Sequence, residues 1–543
     1  MIKEQATAKV SPIKIFGALI LLNLLLALVV VVFPSGKISL GKIKIPFGKH
    51  SYEQELSLNF VPLKKVFEKE TIVVVDAKEV IANVQTVDTN LVTLDSKTLA
   101  KLKKEKITVP EEKQIQYPDN TRTAMANFFR ALAELEKQTS HIRILHYGDS
   151  QLEGDRISDY LRNRLQLRFG GWGPGIILPY DISNSRISVR QSESANWVKY
   201  AIYGKTPKLT NGFYGIGASS YKYAGGGVSK TETNSDKKEF IKKYFKKKIE
   251  AEDGSISYEI DSTKFYFDSI IPKALPIKLA NSAWLKIENA GSSYPRVRKY
   301  NNLTLIYSAD EPFGFKLKVR DGAELTEIMP KELAMAKSYN LDEVTTGVQL
   351  NFTGKSPYLF GVALDGTTGI AVDNFPMRGS SALGFDGINI SMLSQLYSQM
   401  NVKLIVLQYG INLVPEPKTN YDWYAKAFSK QVAAIKVASP NASILIIGPS
   451  DMSRKTAEGY ESYPNIPLIR DAMKKAAFDN GCAFWDLYTA MGGQNSMSSW
   501  VSNKLAAKDY THFSTEGARY VSEMLYNTLM DEYQEYLRGI GAM

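Results

Sequence analysis

The sequence predicts an α/β fold: a parallel sheet covered by helices on both faces, interrupted by an inserted all-β module and preceded by an apolar N-terminal helix. Three observations carry this. Short apolar runs alternate with helix-compatible stretches over 119–186 and again over 370–543, the pattern of a parallel sheet buried on both sides. Between them, over 187–369, helical periodicity gives way to strand-like alternation and glycine-bearing turns. Ile15–Phe33 is almost wholly apolar, broken only by Gly17 and Asn23.

With 543 residues, of which 44% are hydrophobic, the chain is too long for one ordinary core and is expected to form several modules. The net charge of +11 lies on no recognisable nucleic-acid module, so no nucleic-acid partner is expected. Much of it comes from the N-terminal flank and from Lys237–Lys248, which suits a membrane surface or an anionic polymer. The single cysteine, Cys482 in CAFWDLY, excludes an intrachain disulfide and any multi-cysteine metal site and reads as a small buried hydrophobe. The four histidines lack ligand spacing, so no metal is expected. No cofactor is expected either. The glycine-dense stretch 168–175 lacks the Gly-Lys-Ser/Thr ending of a phosphate loop and reads as a flexible loop beside the site.

In chain order, 1–14 is expected on the cytoplasmic side and 15–33 as a transmembrane signal-anchor. The apolar run reaches the ~20 residues a spanning helix needs. Lys3, Lys9 and Lys14 precede it, and VVFPSGK offers no small-x-small cleavage site. The remainder would then be extracytoplasmic, on a single-pass protein of the cytoplasmic (inner) membrane facing the periplasm. Residues 34–118 read as a tether with strand-like patches such as Thr71–Val75. From 119, Asp119 or Asn120 can cap a helix through Lys137, with Ala124, Phe128, Leu132 and Leu135 on one face. Ile142–Tyr147 reads as a strand, followed by a helix from about Gln151 to Arg168.

The 187–369 module alternates most clearly at Leu303–Tyr307 and Phe315–Arg320. It turns at Asn211-Gly212, Asp253-Gly254, Asp321-Gly322 and Asp365-Gly366. A sandwich or jelly roll is expected. Trp197, Tyr221, Tyr223 and Trp284 are either sugar-stacking rings or core. After 370, helices are expected over Asp386–Met400, Asp422–Val437 and Asn465–Asn480, and strands over Lys403–Gln408, Ser443–Gly448 and Ala483–Leu487. A last helix, capped by Ser514 or Thr515, ends near Arg538.

The chemistry is concentrated at the ends of these strands. Gly148-Asp149-Ser150 ends the first strand, and a serine delivered there to a helix start stands beside free N–H groups. Serine needs a base, the base an orienter, and the developing oxyanion needs donors. His512 precedes a helix with Asp509 three residues earlier, so the carboxylate can hold Nδ1–H and leave Nε2 for the serine. His146 lies within a strand and reads as structural, and His141 reads as exposed. Asn412, in Gln408-Tyr409-Gly410-Ile411-Asn412, can aim its amide at the serine. Gly379 in Arg378-Gly379-Ser380 can present an unobstructed N–H, and the Ser150 N–H is a third donor.

Gly148-Asp149-Ser150, Gly379, Gly410-x-Asn412 and Asp509-x-x-His512 stand in the order of the four blocks of the SGNH (GDSL) hydrolases, which the chain resembles over 120–185 and 370–540. The resemblance implies a flavodoxin-like three-layer α/β domain. It makes Ser150 the nucleophile, His512 general base and acid, and Asp509 its orienter. Gly379 and Asn412, with Ser150, form the oxyanion hole, and Asp149 braces the nucleophile turn. Gly384 is the other candidate for the second block, with Gly379 preferred. An anchored, extracytoplasmic member with a β module between the first two blocks is similar to the peptidoglycan O-acetylesterases, as is GIAVDNFPMRGSS. This implies an esterase acting on an O-acetylated envelope glycan, with a carbohydrate-binding insert. An O-acetyltransferase working beside a membrane O-acyltransferase, and a non-catalytic glycan-binding protein, are the alternatives.

Overall fold

A computed structural model of the protein describes the chain except for residues 1–11, 34–36, 48–49, 60–74, 83, 85–92, 94, 105–106, 120, 181–185, 224–245, 251–255, 261–281, 321, 323, 345 and 543. Most of the basic run Lys237–Lys248, most of Thr71–Val75, the flanking Lys3 and Lys9, and the turns at 253–254 and 321 therefore lie outside the described residues. The chain divides into two units, Met1–Val73 and Val74–Met543.

In the first unit the apolar run forms a 21-residue helix, Pro12–Val32. Some of its side chains lie outside the described residues; among those described, no helix is long and apolar enough to cross a membrane. An antiparallel hairpin follows, Lys37–Phe47 against His50–Asn59.

The second unit is built on five parallel strands: β1 (His141–Gly148), β2 (Gly369–Pro376), β3 (Val402–Gln408), β4 (Ser443–Ile447) and β5 (Ala483–Trp485), in the order β2-β1-β3-β4-β5. This is the flavodoxin-like order, whose reversal between β1 and β3 opens a crevice at the carboxyl edge. Strand side chains alternate between two cores. Ile142, Ile144, Val372, Leu404, Val406 and Leu445 pack with Phe128, Leu132, Leu161, Leu165, Val521 and Leu525. Leu145, Tyr147, Ile405, Leu407, Ile444 and Ile446 pack with Leu396, Phe428, Val432, Ile469 and Met473. The covering helices are Ala126–Leu135, Ser158–Phe169 and Thr515–Gly539 on one face. Ile390–Gln399, Asp422–Ala438 and Ile466–Asp479 cover the other.

Between β1 and β2 the described residues form two packed antiparallel sheets and a separate hairpin, Lys246–Glu250 against Ile256–Ile260. One runs Glu324–Met329, Phe313–Val319, Gly347–Gly354, Ser282–Asn289, Val189–Glu193. The other runs Glu332–Val344, Tyr300–Ala309, Tyr358–Asp365, Ser219–Tyr223, Trp197–Ala201. Gly175–Ile177 pairs with Tyr358–Asp365, so antiparallel pairing starts ahead of residue 187. Leu285, Ile287, Leu305, Phe315, Leu350, Phe352 and Val362 fill the space between the sheets. Trp197, Tyr221 and Tyr223 belong to that core and are not sugar-stacking rings; only Trp284 is half-buried. Alternation placed these rings on a face but could not say which face was inward.

Two further expectations are corrected. Part of the tether is docked. Ala77, Val80 and Ile115 are buried with Met125 and Trp500, Gln116 bridges Phe484, and Lys113 O accepts from Trp485 Nε1 at 3.0 Å. The glycine-dense stretch is a packing seam between the parallel sheet and the sandwich. A Cβ on Gly173 would stand 2.1 Å from the Leu364 carbonyl oxygen, and one on Gly171 2.5 Å from that of Ile370, so glycine permits the two backbones to approach. Beside this seam Arg143 of β1 donates to both Asp373 oxygens, at 2.7 and 2.8 Å, and to Asp365, all of them buried.

Candidate active site

The sheet register sets the site. Gly148 at the end of β1 stands opposite Pro376 of β2 and Gln408 of β3, so the three following loops leave the sheet at one level. Met377 N–H donates to Gly148 O at 2.7 Å and Asp149 N–H to Gln408 O at 3.2 Å, closing the ladder on both sides. A Cβ on Gly148 would lie 2.7 Å from Gln408 O; only glycine lets the strands stay paired up to the turn. The Asp149 carboxylate then accepts from Gln151 N–H at 3.0 Å and caps the 3-10 turn Ser150–Asp155, and Ser150 stands at the head of that turn.

Ser150 Oγ is 2.8 Å from His512 Nε2, across 362 residues of sequence, and His512 Nδ1 is 2.8 Å from Asp509 Oδ2. The other Asp509 oxygen accepts from the N–H groups of Thr511 and His512, each at 3.0 Å. The ring therefore faces a carboxylate on Nδ1, which leaves Nε2 free to accept from the serine. Ser150 is 7% exposed, so little water surrounds it. Burial pushes the Asp509 carboxyl upward, but the hydrogen bonds from the His512 ring, His512 N–H and Thr511 N–H outweigh it and hold its pKa below the usual 3.8. Burial drives the Asp149 pKa up to about 7, against the Gln151 N–H, the His512 charge and the Ile411 N–H, which pull it down.

The base loop is braced from outside. Tyr510, between Asp509 and His512, is left-handed at φ 55°, a conformation a non-glycine residue holds only when its surroundings enforce it. Its carbonyl accepts from Ser453 N–H at 3.0 Å, and its ring stacks on Tyr460 of the hairpin Ser453–Thr456/Gly459–Ser462. Ser514 accepts from Gly517 N–H at 3.1 Å and caps the helix that fixes the far end of the loop.

The other expected site residues lie in the neighbouring loops. Gly379 is exposed, has φ 74°, and a Cβ there would meet nothing within 4 Å. Gly384 packs instead against the sandwich, its Cβ position 3.1 Å from Ile202 O, so Gly379 is the one that faces open space. Asn412 is exposed, and its Nδ2 donates to Ser380 O at 2.9 Å, tying the loops after β2 and β3 together. Gly410, at φ 120°, turns the backbone past Pro449 and Met473 into Ile411–Leu413.

Of the other histidines, His146 is buried between Ser158 Oγ and Gln408 Oε1, each at 3.0 Å, and burial depresses its pKa to about 4. His141 is half-buried rather than exposed, because it opens β1 in register with Gly369 of β2, and burial depresses its pKa to about 3. Cys482 is buried, as expected, and burial raises its thiol to about 11. Among the described residues no group of acidic, histidine or cysteine side chains could hold a metal ion. Sequence reasoning missed Gln151 and Ser450, whose partners lie far along the chain; no local pattern marks them.

No family model matches the sequence, and no curated protein matches it. Among solved structures, the chain is similar to a peptidoglycan O-acetylesterase at 19% identity and a TM-score of 0.53, over 78% of this chain and 99% of that one. It also matches an acetyl xylan esterase (18% identity, TM-score 0.22, 30% of this chain and 81% of that one). A family two carbohydrate esterase from Clostridium thermocellum, in complex with cellohexaose, matches at 10% identity and a TM-score of 0.23, over 48% and 94%. The first of these carries the conclusion: the chain shares the fold of that protein, here a parallel-sheet α/β domain with an added β domain.

Proposed function

We propose that this chain is a serine esterase that removes O-acetyl groups from a cell-envelope glycan, peptidoglycan foremost. The observation that carries the reading is the relay from Asp509 through His512 to Ser150, with both contacts at 2.8 Å, at the carboxyl edge of the sheet where α/β folds bind ligands. The likeness to a peptidoglycan O-acetylesterase supports the choice of substrate.

In this reading Ser150 Oγ attacks the acetyl carbonyl carbon as His512 Nε2 takes the serine proton. Asp509 holds the ring and stabilises the imidazolium. The oxyanion is met by the N–H groups of Ser150 and Gly379 and by the Asn412 amide. As the C–O bond to the sugar breaks, His512 returns the proton to the sugar oxygen and acetyl-Ser150 remains. Water, deprotonated by His512, then attacks the acyl carbon; acetate leaves and Ser150 regains its proton. Asp149 braces the nucleophile turn. The apolar sequence of 15–33, with Lys3, Lys9 and Lys14 before it, supports an extracytoplasmic protein held at the cytoplasmic membrane.

The test offers O-acetylated peptidoglycan to the purified full-length protein and measures free acetate, with and without excess deacetylated glycan. The reading requires free acetate that disappears in Ser150→Ala. Acetyl appearing mainly on added sugar would make the protein a transferase, and glycan binding without turnover would remove the enzyme reading.

A further inference from the structure

We infer that Gln151, the residue after the nucleophile, is a positioning residue that registers the catalytic imidazole against Ser150; the inference rests on the hydrolase reading above. Gln151 is 1% exposed, and its side chain spends every donor and acceptor on two distant loops. Its amide nitrogen donates to Thr511 O at 2.8 Å and to Ser450 Oγ at 3.1 Å. Its amide oxygen accepts from Phe513 N–H at 3.4 Å. Thr511 and Phe513 flank His512, so one side chain grips the backbone on both sides of the base. The grip begins one residue from the nucleophile, and its second donor reaches the loop after β4.

The partners fix which way the amide points. Rotated by half a turn, its oxygen would face the Thr511 carbonyl and its NH₂ would face the Phe513 N–H, two like-with-like contacts. The native orientation is therefore the one that satisfies the site, and a buried amide left unsatisfied is strongly disfavoured. The consequence is geometric. The Asp509–His512 pair lies within one loop and can keep its own hydrogen bond while the loop shifts. The Ser150–His512 contact joins two loops separated by 362 residues; among the described side chains Arg156 also reaches Phe513 O, at 3.3 Å, but Gln151 holds both flanks of the base. Displacing a reacting group by about 1 Å lowers a rate by about 10²-fold.

The test uses full-length protein, p-nitrophenyl acetate turnover, and labelling by a fluorophosphonate. Gln151→Met keeps the volume and removes all three hydrogen bonds. Gln151→Glu keeps the shape but sets a carboxylate oxygen against Thr511 O. Both are expected to lower kcat and the labelling rate together by roughly 10- to 100-fold while KM stays within about twofold. Ser450→Ala, which leaves the grip on Thr511 and Phe513, is expected to lose less than about fivefold. A merely structural residue would lower the melting temperature without this split between kcat and KM. Either Gln151 variant, folded by circular dichroism, that keeps wild-type labelling while the unsubstituted protein also labels would overturn this inference alone. An unsubstituted protein that takes no label would overturn the hydrolase reading and this inference with it.

Discussion

Replacing Asp509 by asparagine tests how the base is held, and the structure sets the size of the effect. One Asp509 oxygen accepts from Thr511 N–H and His512 N–H at 3.0 Å each, while the other faces His512 Nδ1 at 2.8 Å. In the variant the amide oxygen can serve the two backbone N–H groups or the imidazole, not both. Serving the backbone keeps two hydrogen bonds of about 1 kcal/mol each and turns the NH₂ toward Nδ1. That forces the proton onto Nε2, where it faces the serine and blocks proton transfer. The preference of about 2 kcal/mol alone disfavours the working tautomer by roughly 30-fold. Loss of the negative charge beside the imidazolium adds less than in a buried triad, since the Asp509 side chain is 48% exposed and solvent screens the pair. We expect kcat on p-nitrophenyl acetate to fall about 10²-fold, against about 10⁴ for the same change at a buried triad carboxylate, with KM nearly unchanged. Asp509→Ala should retain more activity than Asp509→Asn, because water can accept the hydrogen bond from Nδ1–H and keep the working tautomer. A folded Asp509→Asn within fivefold of wild type, or an alanine variant tenfold worse than the asparagine one, would refute the tautomer argument.

Three further outcomes follow from the geometry. Folded Asp149 keeps its proton to about pH 7 while the unfolded group releases it near 3.8, so the folded state binds more protons in that window and stability from this group is lost as pH rises through it. Asp149→Asn should therefore gain melting temperature relative to wild type between pH 4.5 and 8; a flat difference contradicts the assignment. Arg143→Met leaves Asp365 and Asp373 buried without the Arg143 counter-charge and should cost about 3–5 kcal/mol in urea unfolding, a cost that shrinks as pH falls because burial already raises both carboxyls above the ordinary range. Asn412→Ala should lower kcat by about 10²–10³-fold with little change in KM; steady-state kinetics showing an effect on KM alone would remove Asn412 from the oxyanion hole.

Four of the five parallel strands and the helices between them were legible because those strands are buried on both faces and read as apolar runs, as in KLIVLQ and SILII; β2 was not read as a strand, because Asp373 and Asn374 break its apolar run. The meeting of Ser150, His512 and Asp509 was legible because each sits at a strand end or just before a helix. Three further things were hidden. Docking of the described part of the tether depends on isolated side chains such as Ala77, Val80 and Ile115, too few to give a period. The role of the glycines at 170–175 depends on backbone drawn up from Leu364 and Ile370, about two hundred residues away. Gln151 is one polar residue in a polar helix start, and nothing around it in sequence announces partners at Ser450, Thr511 and Phe513.

The most direct measurement is intact-mass spectrometry of the full-length protein during turnover of p-nitrophenyl acetate, followed by peptide mapping. The account predicts a transient gain of one acetyl group on Ser150, formed far more slowly when His512 is replaced by alanine and absent in Ser150→Ala. Acetate released with no adduct on Ser150, at an undiminished rate in Ser150→Ala, would contradict it.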